Sequence, residues 1–106
     1  MTDLILVRVN CPDKAVAEAL AETCLAERLA ACANIAGPVT SIYEWQGEIE
    51  RAEEWVLLLK TQAALWHRAE AFIKAQHPHE VPAIISIPCV FANKAYEDWL
   101  TKTLMS

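Results

Sequence analysis

The feature of this 106-residue sequence that most restricts its fold is a set of apolar runs that fail to alternate. Successive side chains of a β-strand point to opposite faces, so a strand covered on one side reads apolar, polar, apolar. Leu4-Ile5-Leu6-Val7 and Trp55-Val56-Leu57-Leu58-Leu59 are apolar at every position. Both faces of the sheet they build therefore need cover. A monomer that left one face in water would expose a far larger apolar patch than such proteins ordinarily carry. Further copies of the same chain are the simplest cover, and a closed ring would satisfy free strand edges without open-ended growth. The plainer alternative is that the chain's own tail helix roofs the second face.

The remaining elements follow from local signals. Leu4 to Val9 reads as a first strand closed by the turn Asn10-Cys11-Pro12-Asp13. Asp13 is a plausible N-cap for a helix whose stripe is Val16, Leu20 and Cys24, with Ala19 and Thr23 beside it, fading near Arg28. A long extended stretch runs from Ala31 to Trp45, interrupted by a bulge or bend at Gly37-Pro38 and resuming at Val39. Gln46-Gly47 is a turn signal, and Glu48 to Thr61 is the returning arm. Arms of a dozen residues reach roughly 40 Å. A compact chain of this length has a radius of gyration of about 13 Å, so the hairpin tip should project beyond its core.

Leu65, Ala69, Phe72 and Ile73 form a second helical stripe, with His77 the last residue before Pro78 ends it. Ala83 to Cys89 is a further strand. Asn93 then caps a tail helix with an inner face of Tyr96, Trp99, Leu100, Thr103 and Leu104. The order is βαββαβ plus a tail helix. This is an α+β, ferredoxin-like arrangement in which two helices cover one face of a four-stranded antiparallel sheet with a long hairpin between its second and third strands. A chain of this length has room for one core, so residues 1–106 are read as a single domain.

Composition narrows the function classes. With 55% apolar residues and 2 glycines the chain is neither disordered nor a loop-rich scaffold. Its 14 acidic and 9 basic residues give a net charge of -5, which repels phosphate backbones and anionic lipid and makes cations the natural visitors. No nucleic acid and no membrane are expected as partners. No apolar run approaches the ~20 residues that cross a bilayer. The amino terminus Met1-Thr2-Asp3 carries an acid where a secretory signal would be basic, so a cytoplasmic location is expected. Cys11, Cys24, Cys32 and Cys89 form no Cys-x-x-Cys pair, and reduced thiols are expected.

Two groups of residues could carry chemistry. His77, His79 and Glu80 offer two imidazoles and a carboxylate within four positions, donors suited to copper, nickel or zinc, and Cys11 could add a soft ligand. The plainer reading has His77 bonding the carbonyl end of its own helix, His79 solvated and Cys11 packed in the core. Tyr43, Trp45 and Lys60 sit on the hairpin arms, where aromatic rings and one fixed cation could shape a ligand cleft against a neighbouring subunit, with His77 and Glu80 as further cleft candidates. Interface packing explains the aromatics equally well. Glu48, Glu50, Glu53 and Glu54 read as a solvated acidic arm. Cys24 and Cys32 read as core residues, and His67 as solvent-facing.

Several segments, taken in order, resemble the CutA family. They are Asn10-Cys11-Pro12-Asp13, Leu25 to Ile35, Ser41-Ile42-Tyr43-Glu44-Trp45-Gln46-Gly47-Glu48-Ile49-Glu50, Leu59-Lys60-Thr61, His77-Pro78-His79-Glu80-Val81-Pro82, Ile85-Ser86-Ile87-Pro88, and Asn93 with Tyr96 and Trp99. Together they span nearly the whole chain. His79 stands where the family usually has tyrosine, and Ala92 where it has glycine. The resemblance implies a ferredoxin-like subunit in a tight homotrimer with inter-subunit clefts, concerned with tolerance of copper and other divalent cations, and it supplies no agreed reaction. The alternative is a PII-like signalling trimer that binds small molecules without a metal role. Such a protein wants a glycine-rich or basic phosphate cradle, and Gly37 and Gly47 offer little material for one. An acylphosphatase-like hydrolase would use Arg8 and Asn34 but lacks the same loop. No catalytic constellation is found, so no enzyme is expected.

Overall fold

β1 (Leu4–Cys11) lies between β3 (Glu48–Gln62) and β4 (Ile84–Pro88), and β2 (Cys32–Trp45) flanks β3 on the other side. The order is β2-β3-β1-β4, with every pairing antiparallel. The computed structural model describes residues 2–106; Met1, part of the acidic amino terminus noted above, lies outside the described residues. β1 runs past Val9, because Asn10 and Cys11 pair with Val56 and Trp55 in place of turning. The reason is apolar: Ile5, Val7, Val9 and Cys11 all point to one face, and Cys11 continues the buried series.

That face is closed by two helices. In α1 (Lys14–Ala26), the Asp13 carboxylate accepts from the Val16 N–H at 2.8 Å, as its sequence position suggests. The buried residues are Ala17, Leu20, Ala21 and Cys24, so the stripe is rotated from the expected one: Val16 is half-buried and Ala19 exposed. α2 (Trp66–Gln76) follows a 3₁₀ turn at Ala63–Leu65, which takes Leu65 out of the helical stripe and leaves Ala69 and Ile73 fully buried. Together they pack on Val7, Val9, Leu57 and Leu59, each of which is essentially inaccessible to water. Burial of one such aliphatic side chain is worth about 1.5–3 kcal/mol.

The second face is covered in part. In α3 (Lys94–Met105), Asn93 caps the first turn by accepting from the Tyr96 N–H at 2.9 Å. Tyr96, Leu100 and Leu104 recur every four residues and set the helix on Leu4, Leu6 and Ala31. The Lys60 ammonium stands 5.5 Å from the centre of the Tyr96 ring. Trp99, expected on the inner side, is instead 47% exposed. Sequence reasoning left this face bare or roofed; α3 roofs one end of it. Beyond that end Ile85 remains 54% exposed.

The hairpin is long, as its sequence implies. A bulge between Ala36 and Val39 breaks the ladder at the Gly37-Pro38 step. Gln46 and Gly47 both have positive φ, the backbone that a two-residue turn between twisted strands requires. β1 stops opposite Trp55, so residues 48–54 extend about 23 Å further along β3 without it. The molecule measures 45 × 26 × 22 Å.

Candidate functional site: a cleft beyond the end of β1

The space left where β1 stops is a cleft of about 820 Å³. Ser41, Ile42, Tyr43 and Trp45 of β2 line one wall, and the segment from Pro78 to Ala83 lines the other. Asn10 and Glu54, at the ends of the paired parts of β1 and β3, close the inner end.

Asn10 organises this end of the molecule through three different atoms. Its backbone N–H donates to the Ala83 carbonyl at 3.2 Å, which fixes the end of the loop. Its carbonyl accepts from His77 Nε2 at 2.8 Å, which fixes the start. Its side-chain Nδ2 donates to Glu54 Oε1 at 3.3 Å. Glu54 is 8% exposed, a carboxylate held in place at the bottom of an open cleft.

His77 is buried and spent on structure. Its ring Nδ1 accepts the His79 backbone N–H at 3.0 Å, so Nε2 carries the proton that goes to Asn10. The imidazole bonds a strand carbonyl, whereas the plainer reading had given it a carbonyl of its own helix; its backbone N–H alone closes that helix, on Ile73. The His79 ring leans against that of His77, tilted by 52° with 4.8 Å between ring centres, and His79 is exposed, as is Glu80. Cys11 lies in the core beneath α1, where burial pushes its thiol up to about 11, with the Glu54 and Asp13 carboxylates adding to the effect. It does not line the cleft. Among the described residues no three His, Cys, Asp or Glu side chains converge as a metal-binding set. Within one copy, the donors named from sequence therefore do not form a complete divalent-ion site.

Of the cleft candidates, Tyr43, Trp45 and Glu80 come together with His79. Lys60 does not. It sits ten residues along β3 from Glu50, the partner of Tyr43, a separation of about 33 Å. Sequence reasoning missed Glu54 and Asn10. Glu54 was absorbed into an acidic run, although its two-residue spacing from Val56 and Leu58 places it on their sheet face. Asn10 was read as a turn residue.

Comparison with known proteins agrees with this architecture. The family model described as CutA1 divalent ion tolerance protein matches residues 5–103. The chain belongs to the CutA1 family. The divalent-cation tolerance protein CutA of Thermus thermophilus is 41% identical over 100 residues, 94% of this chain and 95% of that protein. Human Protein CutA is 38% identical over 98 residues, which is 92% of this chain but 55% of the human protein. The crystal structure of CutA from Xylella fastidiosa superposes with a TM-score of 0.93 at 33% identity, covering 97% of this chain and 99% of that one. The CutA1 match bears out the fold expected from sequence and favours the tolerance reading over the PII-like one. The family model and the Thermus thermophilus protein are named for divalent-ion tolerance, and none of these names states a reaction.

Proposed function

We propose that this CutA1-family chain is a divalent-cation tolerance protein that works as a homotrimer in the cytoplasm, with copper among the ions it answers to. The observation that carries the proposal is the family match over residues 5–103. The half-covered sheet supports the trimer: Ile85 at 54% exposure, with Val90 at 58% and Phe91 at 83%, is more apolar surface than one chain has reason to leave in water. Four free cysteines fit a reducing compartment. No helix among the described residues is long and apolar enough to cross a membrane.

Because the donors of one copy do not converge, a divalent ion would be held where copies meet, with exposed His79 and Glu80 supplying part of the set. His77 and Cys11 contribute by holding the loop and the core. Sedimentation equilibrium at micromolar concentration should return three chain masses. Titration with copper and zinc should show an ion affinity that falls in His79→Ala. A monomer removes the assembly, and ion binding indifferent to His79→Ala removes the junction site.

A further inference from the structure

Charge is divided along the second face of the sheet. Strand register puts Arg8 of β1 and Lys60 of β3 there, among Leu6, Leu58, Ile85 and Ile87. No strand residue on this part of the face is a carboxylate. Along the projecting arm the order reverses: the charged side chains on the same face are Glu54, Glu50 and Glu48, and none is a cation. The two cations differ in company. The Lys60 ammonium stands over the Tyr96 ring beneath α3. Arg8 lies beyond that cover, between Leu58 and the exposed Ile85, and is itself half-buried. It belongs to no ion pair among the described residues. The first carboxylate along β3 on this face, Glu54, is four residues from Leu58, about 13 Å, and is bonded to Asn10.

Cover for this face takes Arg8 out of water, and a guanidinium desolvated without a counter-charge is costly. The arm holds what such a group fits. Glu50 stands opposite Tyr43 and Glu48 opposite Trp45, all four exposed, so each carboxylate has an aromatic ring beside it. A guanidinium bonds a carboxylate with two parallel N–H groups and lies flat on an aromatic face, which an ammonium does not do. Within one copy the two ends stay apart, because Glu50 is eight residues along β3 from Leu58, about 26 Å. We propose that Arg8 of each copy is held by the arm of the next, its guanidinium on the carboxylates of Glu48 and Glu50 of the partner subunit and against the rings beside them. This role of Arg8 rests on the homotrimer reading and adds to it the residue that fixes how copies dock. Arm on base is a head-to-tail contact, which makes a ring when its rotation closes. Arm on arm would set carboxylates against carboxylates and is disfavoured.

The test follows subunit exchange in the full chain, with a chelator present so that ion binding plays no part. Wild-type and isotope-labelled copies are mixed, and mixed trimers are counted against time by native mass spectrometry. Arg8→Glu should speed exchange about tenfold or more, since a like charge then faces the arm. The double substitution Glu48→Lys with Glu50→Lys lies on exposed arm positions and should do the same without disturbing the fold. All three substitutions together restore opposite charges and should return exchange to within about threefold of wild type. Should Arg8→Glu fail to fold, Arg8→Lys keeps the charge, loses the fork, and should speed exchange about threefold. A wild-type protein that runs as a single chain mass overturns the homotrimer reading and this contact with it. Trimers whose exchange ignores the arm substitutions, or reversed charges that fail to rescue one another, overturn the Arg8 contact alone.

Discussion

Along β1 and β3 the two faces of this sheet differ: one carries Ile5, Val7, Val9, Cys11, Leu57 and Leu59, the other mixes Leu4, Leu6, Val56 and Leu58 with Arg8, Asn10, Glu54 and Lys60. Under α1 and α2, Val7, Val9, Leu57 and Leu59 are sealed by two helices of the same chain. On the opposite side α3 seals Leu4 and packs on half-buried Leu6, then gives way to half-exposed Ile85, to Asn10 and finally to the Glu54 cleft. Hydrophobic content separates them in part, and helix reach does the rest: α1 and α2 span the first, whereas twelve-residue α3 is about 18 Å long and covers one end of the second. The sealed face holds the fold together, and the half-open one has surface left for partners and ligands.

The largest effect that would break this comparison lies on the sealed side. Leu57→Ala should cost about 2–5 kcal/mol by denaturant unfolding, because the space left cannot collapse between strand and helices. Ile85→Ala, half exposed, should stay within about 0.5 kcal/mol for the isolated chain. Ile85→Asp should instead shift sedimentation from three chain masses toward one while leaving the monomer folded. A cost for Ile85→Ala comparable to that of Leu57→Ala, in a protein that sediments as a monomer, would erase the distinction.

How much of this was legible beforehand depends on the range of the interaction. Asp13 and Asn93 were readable as caps because a cap joins residues three apart, and both bonds form. Gln46-Gly47 was readable as a turn because the backbone demand is local. The stripe of α1 was misjudged by a fraction of a turn, because Ala17 and Ala21 are small enough to let the helix sit close on the sheet, something an apolar count undervalues. The site was harder. His77 finds its partner carbonyl 67 residues away, and Glu54 finds Asn10 44 residues away. Such pairs are set by strand register and loop path, which no local pattern encodes. The aromatic wall of Tyr43 and Trp45 was legible as chemistry, while the distance that separates it from Lys60 was not.

Gly37 sharpens the comparison because it touches both sides of it. A Cβ there would lie 2.8 Å from ring atoms of Trp55, whose ring also has the Lys14 ammonium 5.5 Å from its centre. Trp55 packs against the sealed core, while the bulge at Gly37 aims the β2 segment that carries Tyr43 and Trp45. Gly37→Ala must therefore push a tryptophan off the core or redirect the cleft wall. A loss of about 1–3 kcal/mol is expected, together with movement of the Trp45 indole signal. If stability falls and Trp45 stays still, the bulge serves the sealed face alone.

The smallest expected effect is chemical, and the cysteines report it directly. Cys11 and Cys24 lie on the sealed side, where burial pushes both thiols from 9.0 up to about 11. At pH 8 a shift of two units lowers the thiolate fraction about 100-fold, before any hindrance from packing is counted. Cys32 and Cys89 are half-buried at the α3 end of the other face. Two thiols should therefore react with an aromatic disulfide in the folded protein, and two should wait for unfolding. The sign of the pH dependence follows: raised thiol pKa values favour the folded state until the unfolded thiols ionise. Stability should hold below about pH 9 and decline as pH rises toward about 11. Four thiols reacting at one rate, or a stability that climbs over that range, would mean that the face under α1 and α2 is no better sealed than the one under α3.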